Sequence, residues 1–137
     1  MAVLRRWILA AAIVVAAPLQ AQTADSAQMA LGRRYTQWMY EGQADSLWSK
    51  FSPEMRQAIP SAQDLEAMRQ QIHGQIGDET EVVSERIVEP ASQPGLIVYV
   101  RTARFANAPM EINVTVATDA SGMIQGLSVR PAPPPQP

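Results

Sequence analysis

The sequence predicts an α+β domain with N-terminal helices packed on a curved four-stranded antiparallel sheet, and three observations carry that reading. Apolar residues recur at spacings of three and four as far as Gly77 and alternate with polar ones after it. Three turn-rich breaks, PASQPG, Asn107-Ala108-Pro109 and Asp119-Ala-Ser-Gly122, cut the second half into four strand-length segments. The stretch YTQWMYEGQADSLWSKF, from Tyr35 to Phe51, holds two tyrosines, two tryptophans and a phenylalanine, enough aromatic area to close the joint of a small core. A strongly curved sheet wrapped around a long first helix would make a cone with an open mouth.

The elements follow in order. The first helix is expected over Asp25 to Glu41, with Asp25 and Gln28 as a capping box. Its apolar stripe is Ala27, Leu31, Tyr35, Trp38 and Gly42, with Met39 beside it; Tyr40 lies off the stripe and is expected to be exposed. A short second helix, Ala44 to Phe51, buries Leu47, Trp48 and Phe51. Ser52 caps a third, with Pro53 in its first turn, and Pro60 stops it. Ser61 caps a fourth, buried along Leu65, Met68, Ile72 and Ile76 and ended by Gly77. The strands are expected over Thr80 to Glu89, Leu96 to Phe105, Met110 to Ala117 and Met123 to Arg130. The run LIVYV in the second suggests burial on both faces, whereas the third alternates cleanly.

The chain has 137 residues, one domain's worth. MAVLRRW followed by ILAAAIVVAA has the form of a signal peptide, expected to be cleaved after Ala21. That divides the chain into a leader (1–21), a domain (22–131) and a Pro-rich tail (132–137), and implies export to a periplasmic or extracellular location with no membrane attachment after cleavage. Of the eleven basic residues Arg5 and Arg6 fall in the leader, leaving nine against thirteen acidic ones, a net charge of −4. No basic patch is left to neutralise a phosphate backbone, which excludes nucleic acid as a partner. There is no cysteine, hence no disulfide framework.

Catalytic motifs are missing. No serine sits in a G-x-S-x-G elbow, and there is neither a P-loop nor a dinucleotide fingerprint. His73 is the sole histidine, placed by helical geometry towards solvent or a groove rim, and no carboxylate spacing suggests a metal. No cofactor is expected. Glu81, Glu85 and Glu89, evenly spaced, read as one solvated strand face that protects a sheet edge.

The segment ALGRRYTQWMYEGQADSLWSKFSPEMRQAI, then a Leu-x-x-Met helix ending in glycine and four strands, resembles the domain of unknown function 3887 family. That family lies within the nuclear transport factor two-like (cystatin-like) superfamily. The similarity covers about Asp25 to Pro131, and its most characteristic part is the aromatic helix, a glycine, then Leu-Trp-x-x-Phe-Ser-Pro-Glu-Met. The resemblance implies a cystatin-like cone and an accessory module of the kind that stands before a secreted hydrolase or peptidase. The chain ends in the Pro-rich stretch where a linker to such an enzyme would begin, so a stand-alone module and a truncated gene are both implied. The expected function is therefore an exported, non-catalytic binding or accessory module. Its partner would be a small molecule or a hydrolase. A ketosteroid-isomerase-like enzyme and a homodimerising scaffold are the alternatives within the superfamily. In the implied cone, Tyr35, Tyr99 and Arg101 are the residues expected to reach the mouth and bind a ligand, each carrying a polar tip on a long or apolar stem. Tyr99 and Arg101, two apart on one strand, share a face and would favour an anionic group. The enzyme reading needs a proton-accepting carboxylate inside. The only one squarely in the third strand, Glu111, alternates away from the core.

Overall fold

Helices α1 (Leu19–Tyr40), α2 (Ala44–Trp48), α3 (Pro53–Ala58) and α4 (Ala62–Ile76) precede strands β1 (Glu79–Val88), β2 (Ile97–Phe105), β3 (Ile112–Thr118) and β4 (Ile124–Pro131) in the computed structural model, which describes residues 19–134. The strands form one antiparallel sheet in the order β1-β2-β3-β4, and the helices pack against it. The expected α+β architecture is thus present. Residues 1–18 of the expected leader and 135–137 of the tail lie outside the described residues.

Helix α1 begins six residues before the expected Asp25. Leu, Gln and Ala fill most of that added turn and a half, and no glycine or proline lies within it to stop the helix. Its buried line is Gly32, Tyr35, Thr36 and Met39, so Trp38 is rotated to the edge and is only half-buried. Helices α3 and α4 start as the serines predict. Ser52 Oγ accepts from Met55 N at 3.3 Å, and Ser61 Oγ accepts from Asp64 N at 3.1 Å while donating to Asp64 Oδ2 at 3.0 Å. Trp48 is half-buried; its indole N–H donates to Ile59 O at 2.9 Å, and the Arg56 guanidinium lies 4.4 Å from its ring centre. In α4 only Leu65 is fully buried, and Met68, expected on the buried line, is exposed. The reason is that α4 packs against α2 and stands away from the sheet.

The inner face of the sheet carries Tyr99, Ala103, Phe105, Ile112, Val114, Val116 and Ile124 against Tyr35, Met39, Leu47 and Phe51 of the helical layer. Strand β3 alternates as expected, with Ile112, Val114, Val116 and Thr118 buried. Met110, expected in that strand, precedes it and is exposed. The LIVYV run is covered on both faces only at its end: Tyr99 is buried inward, and Val100 is buried on the outer face between Arg86 and Thr115 in register. Phe51 bridges to Ile124, and Ser52 N donates to Ile124 O at 2.9 Å, which ties the α2–α3 junction to the start of β4.

Strand β1 is irregular in a way that decides where its charges point. Its register with β2 shifts between Glu79 and Glu81 and again between Val82 and Ser84. Each shift inserts one extra residue, and each therefore reverses the faces of the strand. Glu79 pairs with Phe105 and Glu85 with Arg101, both on the inner face, while Glu81 pairs with Arg104 on the outer one. The even spacing of Glu81, Glu85 and Glu89 thus does not make a single solvated face. The bulge at Val83 turns Glu85 inward, and Glu89 lies beyond the strand.

Candidate functional site

Two features meet where the C-terminal half of α1 crosses β1 and β2. The first is a chain of polar side chains between the layers. Arg33 on α1 donates through Nε and Nη2 to both oxygens of Glu85 at 2.8 and 2.9 Å. Tyr99 Oη donates to Glu85 Oε2 at 2.5 Å and accepts from Arg101 Nη1 at 3.3 Å. Arg101 in turn grips Glu79 with Nε to Oε2 at 2.9 Å and Nη2 to Oε1 at 2.5 Å. Tyr40 Oη completes the chain by donating to Glu79 Oε2 at 2.7 Å. Each arginine–carboxylate contact is two-pronged, the strongest geometry for such a pair. The Arg101 and Glu79 side chains are only 16% and 13% exposed, so neither charge could sit there without the other.

The local electrostatics follow from these contacts. The Arg33 hydrogen bonds, with a further one from Tyr99, outweigh burial and hold Glu85 at about 2. For Glu79, burial alone would raise the carboxyl, but the hydrogen bonds from Arg101 and Tyr40 prevail and lower it. Burial, then the bond to Glu85, raises Tyr99 to about 12, and burial with the Glu79 contact raises Tyr40 as well. Near neutral pH both glutamates are ionised acceptors and both tyrosines are protonated donors. Every partner in the chain is engaged.

The second feature is a cavity of about 300 Å³ bounded by the C-terminal end of α1, by α4 and by the sheet. Met39, Ile72, Ile76, Phe105, Val114 and Val129 supply its apolar surface. Tyr40 and Glu79, the end of the polar chain, form one wall. Arg69, His73 and Asp78 stand on the α4 side. Arg69 is bonded to Glu66 one turn back, at 2.8 and 2.6 Å, and that contact holds Glu66 at about 2. His73 Nε2 lies 2.7 Å from Asp78 Oδ1, and these two half-exposed to exposed side chains mark the mouth. The chain turns between them at Gly77, whose φ of 75° suits glycine; a Cβ there would also meet the Asn107 side-chain nitrogen at 2.9 Å. Asn107 N donating to Ile76 O, and Ala106 N to Asp78 O, fix this turn to the end of β2.

The three residues expected to bind a ligand occupy different places. Tyr99 and Arg101 do share the inner face and touch each other, but they belong to the polar chain and do not line the cavity. Tyr35 is 2% exposed and spends its hydroxyl on Gly122 O at 2.6 Å, tying α1 to the β3–β4 turn. The expectation that the inner face lacks a carboxylate does not hold, since Glu79 and Glu85 both face it. Tyr40, expected to be exposed, is half-buried against Phe105, with ring centres 6.1 Å apart at right angles. What sequence reasoning missed was Glu79, Tyr40 and the α4 side of the cavity. The one available signal was that Tyr40 and Met39 follow Tyr35 by about a turn, on a helix wide enough to bury more than one stripe.

Among the described residues no group of three or more histidines or carboxylates could hold a metal ion, and no helix is long and apolar enough to cross a membrane. No family model, curated protein or solved structure matches the chain.

Proposed function

We propose that this chain is an exported, non-catalytic binding or accessory module of the nuclear transport factor two-like (cystatin-like) type, and that its ligand enters the cavity between α1, α4 and the sheet. The observation that carries the reading is the cavity itself: about 300 Å³, apolar within, with a few polar groups at one wall and at the mouth. Small-molecule sites have that composition, and their volumes start near ~300 Å³. The leader pattern supports export, and the resemblance of the aromatic helix and its Leu-Trp-x-x-Phe-Ser-Pro-Glu-Met continuation supports the accessory role.

Binding is favoured over turnover by the state of the wall carboxylate. A general base needs a lone pair and a pKa near the working pH. Glu79 already accepts three hydrogen bonds from Arg101 and Tyr40, and its pKa is lowered, which is the wrong direction for a base. Tyr40 has its proton committed to Glu79 and its pKa raised, so it is a poor acid for an incoming substrate.

The test uses the neutral dye Nile red, whose emission rises in an apolar site. Bound dye is expected with the wild-type protein and lost with Ile72→Trp, which fills the cavity from the half-buried α4 side. Equal emission from a folded Ile72→Trp variant, or none from the wild type, would refute the assignment.

A further inference from the structure

We infer that the cavity selects an uncharged, mainly aliphatic ligand with a single hydrogen-bonding end, and discriminates against the same ligand ending in a carboxylate or an ammonium. This rests on the reading of the cavity as the binding site and adds what the site would accept.

The argument is one of charge. Five ionised groups stand in or directly behind the cavity wall: Glu66, Asp78, Glu79, Arg69 and Arg101. Glu79 is neutralised by Arg101 in a two-pronged contact, and Arg69 by Glu66 in another. An anionic head could use the donors Arg69 has left, but the charge behind them is already balanced by Glu66, and the head would sit beside Glu79 and Asp78. A cationic head inside the cavity would meet Glu79 already claimed by three hydrogen bonds from Arg101 and Tyr40. Asp78 is 86% exposed at the mouth and shares an oxygen with His73, so what it offers a cation is screened by water. Either ion would lose its hydration on entry without gaining an unspent counter-charge.

A neutral polar end meets no such conflict. Arg69 commits Nε and Nη2 to Glu66, which leaves donors on the same guanidinium for a hydroxyl or carbonyl oxygen. Tyr40 Oη gives its proton to Glu79 and keeps a lone pair that can accept from a hydroxyl. The His73 ring at the mouth offers a further partner. The rest of the ligand would lie on Met39, Ile72, Ile76, Phe105, Val114 and Val129, an aliphatic surface with one aromatic edge.

Isothermal calorimetry with three probes of one chain length tests this: nonan-1-ol, nonanoate and nonylammonium, each below its aggregation concentration at pH 7.5. The alcohol is expected to bind at least about tenfold more tightly than either ion, and Ile72→Trp or, at the same position, Ile72→Glu is expected to abolish that binding. If an ion binds as tightly as the alcohol, and Ile72→Trp still abolishes it, the inference about ligand class fails while the site stands. If none binds, or binding survives both variants with unchanged melting curves, the site reading fails and the selectivity with it.

Discussion

Replacing Gly32 by alanine should destabilise this protein, although alanine is the better helix residue. In isolation the exchange within an exposed helix would gain about 1 kcal/mol. Here α1 crosses β2 so closely that a Cβ on residue 32 would overlap Tyr99 Cγ and lie 2.5 Å from Tyr99 Cδ2 and 2.7 Å from Tyr99 Cβ. The Tyr99 ring cannot swing aside cheaply. It is 2% exposed, and its hydroxyl is held by Glu85 at 2.5 Å and by Arg101 at 3.3 Å. The helix must therefore lift, or the ring must leave and break the polar chain. Overpacking of this kind costs ~1–3 kcal/mol, and a lost buried hydrogen bond adds ~1–3 kcal/mol. Set against the helix gain, the net loss is about 1–5 kcal/mol, or a fall in Tm of roughly 5–25 °C for a domain of this size. Urea denaturation followed by tryptophan fluorescence reads this directly. The same exchange in a Tyr99→Ala background should cost much less, because the ring atoms are gone and only the Cβ contact remains. A midpoint for Gly32→Ala equal to or above wild type, with Tyr99 intact, would refute the reasoning.

The polar chain should also make stability fall in acid. The folded-state pKa values of Glu79 and Glu85 are lowered, so their contribution is present above the ordinary glutamate pKa of ~4.3 and is lost as pH falls towards 2. With Arg33 more than half exposed and screened, the expected loss between pH 5 and 2 is about 1–2 kcal/mol, and Glu85→Gln should flatten that slope in thermal melts. Arg101→Met leaves Glu79 in a nearly dry site without its cation, at a cost of ~3–5 kcal/mol by denaturation, whereas Arg101→Lys should recover only part of it because the fork is lost. Trp48→Phe keeps most of the ring contact but orphans Ile59 O, so about 1 kcal/mol is expected, while Trp48→Ala should cost about 2–3 kcal/mol, less than a fully buried tryptophan would. If the leader is cleaved as its pattern implies, mass spectrometry of exported protein should find an N-terminus between Gln22 and Asp25; recovery of the intact chain would oppose that.

Local signals in the sequence carried most of the fold. Ser52 and Ser61 start helices because a serine before an apolar-periodic run can cap exposed N–H groups, and both do so. Gly77 marks the change from helix to strand because few other residues fit its backbone angle there. Ile112, Val114 and Val116 alternate because β3 is paired on both sides without a register shift across those residues. The failures were of another kind. Met68 and Trp38 lie on apolar stripes yet are not fully buried, since periodicity identifies a face but not how closely the next layer approaches it. Helix α4 leans on α2, and the space left under its Ile72 and Ile76 is the cavity.

The candidate site was illegible for a related reason, and Glu85 is the clearest case. In a regular strand, residues four apart share a face, so Glu81 and Glu85 read as companions in solvent. One extra residue at Val83 separates them: Glu81 meets Arg104 outside, and Glu85 meets Arg33 and Tyr99 inside. The extra residue at Thr80 does the same for Glu79, which is how a strand rich in like charges sends two carboxylates inward and each finds an arginine. Neither bulge is marked by glycine or proline, so nothing in the neighbouring residue types announces it. The sense of it emerges only with the partners in place. Tyr99 and Arg101 bring two donors to the inner face two residues apart, and unpaired donors there would cost several kcal/mol. The two bulges together leave Glu79 and Glu85 on the inner face as the acceptors these donors require, while turning Glu81 outward. The inward charges and the inward donors therefore explain each other, and removing either set should undo the register that the other maintains.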